Sequence, residues 1–172
     1  MNIGIIGYGI VGKATEQTFI KDHKLTIFSL DKGLFKNLLV CDLVFICIPT
    51  NTIDDIEIIK DYCKKLHMPV IIRSTVTPGF TSSLSTNIMY MPEFLRERCA
   101  FEDFVYNHEI LVIGTDNDLA YRTIIKSHGY LPKDVIKVSV TEAELIKYYC
   151  NTYNNTNYYI SFCFIHYLIY NE

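Results

Sequence analysis

Short apolar runs recur along the chain, and each is followed by a stretch whose apolar residues fall three or four apart. Runs of Val, Ile, Leu and Phe with few polar interruptions predict strands covered on both faces, at residues 3–6, 25–28, 43–48, 70–73, 88–91, 110–113 and 135–138. The intervening stretches read as helices. Residues 11–21 would bury Val11, Ala14 or Thr15, and Thr18 or Phe19. Residues 54–66 place Ile56, Ile59, Cys63 and Leu66 on one stripe, with Thr52 or Asp54 as cap. Residues 119–128 follow the Asp116-Asn117-Asp118 turn and stop before Gly129. Strand and helix in alternation predict an α/β fold: a doubly wound, mostly parallel sheet with right-handed crossovers, followed by a C-terminal helix. That last helix is expected from Thr141, where Thr141-x-x-Glu144 reads as a capping box and Ala143, Ile146, Cys150 and Tyr153 keep helical spacing. Residues 151–159, rich in Asn, Thr and Tyr, are weaker helix formers.

The first strand runs straight into glycines spaced G-x-G-x-x-G: Gly7-Tyr8-Gly9-Ile10-Val11-Gly12. Between a strand and a helix, this spacing points to a bound dinucleotide. Gly7 permits the tight turn, Gly9 lets backbone approach a pyrophosphate, Gly12 lets the helix pack close on its strand, and the helix N-terminus offers free amides.

Composition adds mainly exclusions. A chain of 172 residues, 49% hydrophobic and 20% charged, is an ordinary folded domain able to bury about 70% of its unfolded surface. Net charge is −3 and the basic residues are scattered, so no nucleic-acid footprint is expected. Cys41, Cys47, Cys63, Cys99, Cys150 and Cys163 form no C-x-x-C pair, which suits free thiols in a reducing, cytoplasmic compartment better than disulfides or a metal site. The first strand begins at the N-terminus, so a signal peptide is not expected. The aromatic run 158–170 is interrupted by His166 and falls short of the ~20 residues of a membrane span, so a buried or interfacial helix is expected there.

Several strands end in polar residues on what would be one edge of the sheet. The second ends at Ser29, where the carboxylate that binds adenosine ribose hydroxyls is usual, with Asp31 two residues on. Asp31 as ribose ligand and Asp31 as solvated loop residue both remain open. The third strand leads to Pro49-Thr50-Asn51-Thr52, the fourth to Arg73-Ser74-Thr75-Val76-Thr77-Pro78-Gly79, and the fifth to Pro92-Glu93-Phe94-Leu95-Arg96-Glu97. Together these look like a site, because ligands of such sheets bind beyond the strands' carboxyl ends.

With these words in this order, joined by Glu102-Asp103-Phe104, Val112-Ile113-Gly114 and Thr141-Glu142-Ala143-Glu144-Leu145-Ile146-Lys147-Tyr148, the chain resembles the UDP-glucose/GDP-mannose dehydrogenase family over residues 1–155. The resemblance implies a Rossmann-type NAD-binding domain at 1–140 and the start of an interdomain and dimerisation helix at 141–172. It implies oxidation of the C6 hydroxyl of a nucleotide sugar, such as UDP-glucose, to a carboxylate with NAD, and a homodimer through the last helix. Gly7, Tyr8, Gly9, Ile10, Val11 and Gly12 would hold the pyrophosphate, with Ser29 and Asp31 toward the ribose. Pro49, Thr50, Ser74, Thr75 and Glu97 would line the nicotinamide side. Thr75 and Glu93 would position or activate water, and Lys147 with Asn151 would stabilise the developing oxyanion. Read without the resemblance, Lys147 is a solvated helix lysine.

Departures are equally specific. Ser29 stands where an acid is usual, Arg98 and Cys99 follow a motif that often continues with glycine, and the family pattern fades after Asn151. The glycine-rich segment with the family's nucleophilic cysteine would lie beyond Glu172, and Cys163 lacks the glycines and base to replace it. The chain is therefore expected to be truncated before the thiol and sugar domains. The alternative is a non-catalytic NAD-binding protein derived from the family; a 6-phosphogluconate-type dehydrogenase fits less well.

Overall fold

The β-branched and aromatic runs form strands because each can bury both of its faces, and the helices between them supply the cover. The computed structural model describes residues 1–34, 37–94, 110–128, 132 and 134–154. Its elements are β1 (Asn2–Ile6), α1 (Ile10–Phe19), β2 (Lys24–Phe28), β3 (Leu43–Ile46), α2 (Ile53–Lys65), β4 (Val70–Ile72), β5 (Ile88–Tyr90), β6 (Ile110–Gly114), α3 (Asp118–Ser127), β7 (Asp134–Val138) and α4 (Val140–Asn154). The expected strands and helices are all present, with ends shifted by a residue or two. Helix α1 stops before Lys21 because the Phe19 carbonyl accepts from Asp22 and His23 N–H, turning the chain into β2.

The sheet order is β2-β1-β3-β4-β5-β6-β7. The first five strands are mutually parallel; β6 meets β5 antiparallel at Tyr90 and Gly114, and β7 is parallel to β6. Successive residues of β3 show the double winding. Val44 and Ile46 pack with Ile59 and Cys63 of α2 and with Ala143 and Ile146 of α4. Leu43 and Phe45 face the other way, toward Phe19 of α1 and Ile124 of α3. The chain leaves β1 toward β2 on one side and returns to β3 on the other, with α1 and α2 on opposite faces. The crevice beyond β1 and β3 is therefore the switch point where such sheets take ligands.

One expected cap is corrected. Ser139, not Thr141, starts α4: its N–H and hydroxyl both donate to Glu142 Oε2 (2.7 and 2.6 Å), and Glu142 N–H returns a bond to Ser139 Oγ (3.3 Å). Thr141 already lies inside the helix, and the Glu144 carboxylate is used elsewhere. The proposed stop at Gly129, the calls on Glu97, Arg98, Cys99 and Cys163, and the aromatic run 158–170 lie outside the described residues.

At the end of α3, buried His128 sets its ring edge-on to Phe19, with Nδ1 2.9 Å from the Ile124 carbonyl oxygen. Burial pushes its imidazole down to about 4, against the Ile124 hydrogen bond, and the nearby Arg73 and His23 push the same way as burial. An unfolded imidazole binds a proton near 6.5, so between pH 6.5 and 4 the unfolded state holds more protons and folding weakens as pH falls. We expect His128→Gln to remove on the order of 3 kcal/mol of this acid destabilisation by pH 4, measured by urea unfolding of both proteins across that window.

Candidate functional site

The turn after β1 has the shape a pyrophosphate requires. Gly7 sits at φ +88°, and a Cβ there would stand 2.5 Å from the Cys47 carbonyl oxygen. Gly12 packs so close to the strand that its Cβ would lie 2.1 Å from the Gly7 carbonyl oxygen. Gly9 is different: a Cβ there would meet nothing within 4 Å, and its φ of −81° suits any residue. The fold therefore needs glycine at 7 and 12, whereas at 9 the absent side chain leaves open space.

Helix α1 begins at that space. Its N-cap is Gly9, with no side-chain cap and no acidic residue in the first turn. The other described helices satisfy their first amides internally: α2 with a Thr52–Asp55 capping box, α3 with Asn117, α4 with Ser139 and Glu142. The early amides of α1, including those of Ile10, Val11 and Gly12, are thus left to an outside acceptor, and the helix dipole favours an anion. Tyr8 does not plug the cradle. Its hydroxyl donates to the Glu16 carboxylate two turns along α1, which raises the phenol's pKa, and the Lys13 ammonium lies 5.8 Å from its ring centre.

Beside the cradle, Gly7 N–H donates to the Phe28 carbonyl oxygen, so the end of β2 abuts the glycine turn. Ser29 is buried there, and its hydroxyl donates to Asp31 Oδ1 at 2.5 Å. Asp31 is exposed; the Ser29 bond and Lys32, 3.2 Å away, hold its carboxyl below the ordinary range. The substitution of Ser29 for an acid thus leaves a carboxylate within reach of the same corner.

The loops beyond β3, β4 and β5 are tied together. The Thr50 hydroxyl donates to the Thr75 carbonyl oxygen at 2.6 Å, joining two of them. Pro49 is exposed and Thr75 half-buried, while Ser74 is buried with its hydroxyl 3.5 Å from the Ile46 carbonyl oxygen. Lys147 overturns its reading as a solvated helix lysine. It is 4% exposed and donates to the Glu93 carbonyl oxygen at 2.5 Å and to Glu93 Oε1 at 2.6 Å. Asn151, one turn further, is exposed.

Three buried polar groups were given no site role from sequence, Glu144 having been read as a capping residue. Glu144, fully buried, accepts from Gly79 N–H (2.6 Å) and Thr81 N–H (2.8 Å). Arg73, also buried, donates to the Thr15 hydroxyl at 3.2 Å, and burial lowers its pKa. Tyr90 is fully buried and its hydroxyl has no hydrogen-bond partner among the described residues; burial first, then Glu144 and Glu93, raises the phenol's pKa. The one available signal was periodicity: Glu144 falls next to Ala143 and three residues before Lys147, on the stripe that Ile146 and Cys150 mark as inner. Burial pushes the Cys47 thiol up to about 11 and Cys63 up to about 12, so neither offers a reactive thiolate. Among the described residues no three His, Cys, Asp or Glu gather to hold a metal, and no helix is long and apolar enough to cross a membrane.

No protein-family model matches the chain. A UDP-glucose 6-dehydrogenase of Rickettsia prowazekii is 28% identical over 156 residues, taking in 78% of this chain and 35% of that protein. A UDP-glucose 6-dehydrogenase of Campylobacter jejuni is 36% identical over 106 residues, 55% of this chain and 25% of that protein. A GDP-mannose dehydrogenase from Pseudomonas aeruginosa, solved as a ternary complex, shares the fold with a TM-score of 0.76 at 21% identity, over 90% of this chain and 50% of that one. The chain thus spans a quarter to a third of these curated relatives. The resemblance to the UDP-glucose/GDP-mannose 6-dehydrogenases holds among curated sequences and in the Rossmann-type fold of the solved ones.

The ion pair across α4 gives a direct test of the site's coupling. Lys147→Met should cost about 2 kcal/mol, because it removes the buried ammonium whose two bonds to Glu93 tie α4 to the segment after β5. The double variant with Glu93→Gln should cost less than the sum of the two single changes, as read from urea unfolding of the single and double variants.

Proposed function

We propose that this chain is the cofactor-binding part of a nucleotide-sugar 6-dehydrogenase and takes NAD in the cradle after β1. One observation carries the reading: the uncapped N-terminus of α1 opens on empty space at the one motif glycine that neither backbone conformation nor packing requires. A pyrophosphate supplies the acceptors that those amides lack. Asp31, steadied by Ser29, would receive the ribose hydroxyls. Pro49, Thr50, Ser74 and Thr75 would line the nicotinamide side, together with Glu97, which lies outside the described residues. When bound, NAD supplies the hydride acceptor.

The remaining roles belong to the chain's own groups. Lys147, an ammonium held on Glu93, suits charge developing on a sugar oxygen. Asn151 would orient the substrate beside it, and Thr75 and Glu93 would position water. Full oxidation of an alcohol to a carboxylate by the family's route also needs a reactive thiol, and among the described residues Cys41, Cys47, Cys63 and Cys150 are all buried with thiols pushed up by burial. We therefore assign the thiol and the sugar site to a further domain, with α4 opening the connection to it, and infer a dimer through the segment that follows.

Calorimetry should show NAD binding; no heat at millimolar NAD would refute the proposal. Gly9→Val should abolish binding while leaving the unfolding midpoint nearly unchanged, since its side chain fills only ligand space. Gly12→Ala should instead cost about 3 kcal/mol of stability, because a backbone carbonyl cannot yield to the new methyl. NADH should form from UDP-glucose or a related sugar only once a chain bearing the cysteine domain is added.

A further inference from the structure

Glu144 has no part in the reading above, yet its side chain is fully buried. Both carboxylate oxygens are engaged by main-chain donors of one loop, Oε2 by Gly79 N–H at 2.6 Å and Oε1 by Thr81 N–H at 2.8 Å. That loop leaves β4 through Ser74 and Thr75. One turn along the same helix, Lys147 holds the segment after β5 through Glu93. The Thr50 hydroxyl on the Thr75 carbonyl oxygen brings in the loop after β3. Helix α4 thus grips the β4 loop with an anion and the β5 loop with a cation, three residues apart.

We infer that Glu144 is a positioning residue: its carboxylate fixes the 74–81 loop against α4, so that the side lined by Ser74 and Thr75 stays in register with Lys147. This rests on the cofactor reading of the glycine cradle and adds the element that aligns the cradle's far end with the helix. A carboxylate can accept at both oxygens. A glutamine accepts at only one, and it would turn its own NH2 group toward the second buried N–H.

The test compares two nucleotides on the full chain, by calorimetry, for the unaltered protein and Glu144→Gln. ADP engages the cradle alone, whereas NAD also reaches the 74–81 loop. We expect the ADP dissociation constant to stay within about twofold and that of NAD to rise about tenfold, the effect of losing one hydrogen bond to a charged group. A parallel loss of both nucleotides, as general destabilisation would give, overturns the inference, and so does an unchanged NAD affinity. Should Glu144→Gln fail to fold, amide hydrogen exchange on the unaltered chain decides. NAD, and not ADP, should then slow exchange at 74–81 and at 144–147 together, and protection of one segment without the other overturns the inference. If the unaltered chain binds neither nucleotide, the cofactor reading fails first and takes this inference with it.

Discussion

A methyl group on Gly12 would stand 2.1 Å from the carbonyl oxygen of Gly7, so helix α1 lies as near to strand β1 as backbone atoms permit. Much of the site follows from that approach. It forces the chain to reverse within a few residues, which Gly7 allows by adopting φ +88°. It also sets the first turn of α1 directly beyond the strand's end, with its amides pointing away from the protein. A bulkier contact would push the helix outward, and those amides would no longer face the crevice between β1 and β3. The close packing and the open position at Gly9 are two results of one constraint.

Helix α4 imposes the second constraint. Loops at a sheet edge are the parts of an α/β domain most free to move, because few apolar contacts hold them. Here three are fastened by polar bonds whose partners lie on the neighbouring loop or on a single helix. The bonds from Glu144 are charge-assisted and buried, which makes them strong and makes the loss of either partner expensive. The edge is thereby held as one unit without any apolar side chain having to intrude on the space a ligand would use.

Much of this was legible before any coordinates, for physical reasons that differ by element. The strands were visible because burial on both faces demands unbroken apolar runs, and no helix of that length would be apolar all round. The glycine cradle was visible because Gly7 and Gly12 answer separate steric demands at a fixed spacing, with Gly9 on open space between them. Lys147 was marked only by the family resemblance, and its burial was hidden, because a lone lysine on a helix reads as solvated until its acidic partner is known, and Glu93 lies far away in sequence. Glu144 was misread for a related reason. A Thr-x-x-Glu pattern near a helix start fits a capping box, but the chain had an equally good Ser139-x-x-Glu142 two residues earlier, and only tertiary burial chose between them. Ser29 with Asp31 could be narrowed but not resolved, since a hydroxyl steadying a neighbouring carboxylate depends on the turn between them.

The one antiparallel joint among the described strands explains how α4 reaches the site at all. Strands β1 to β5 point their carboxyl ends to one edge, where the cradle and the polar loops lie. Had β6 and β7 kept that direction, the helix after β7 would start at this edge and run away from it. Because β6 reverses against β5, paired at Tyr90 and Gly114, β7 runs opposite to β1–β5 and the helix after it runs in their direction. Helix α4 then travels back across the sheet face for 15 residues, roughly 22 Å at 1.5 Å per residue. Its first turn packs against β6, where a Cβ on Gly114 would strike Ala143 at 2.6 Å. Its second and third turns carry Glu144 and Lys147 toward the loops they hold. One reversed strand pair thus converts a helix that would have left the site into the element that assembles it.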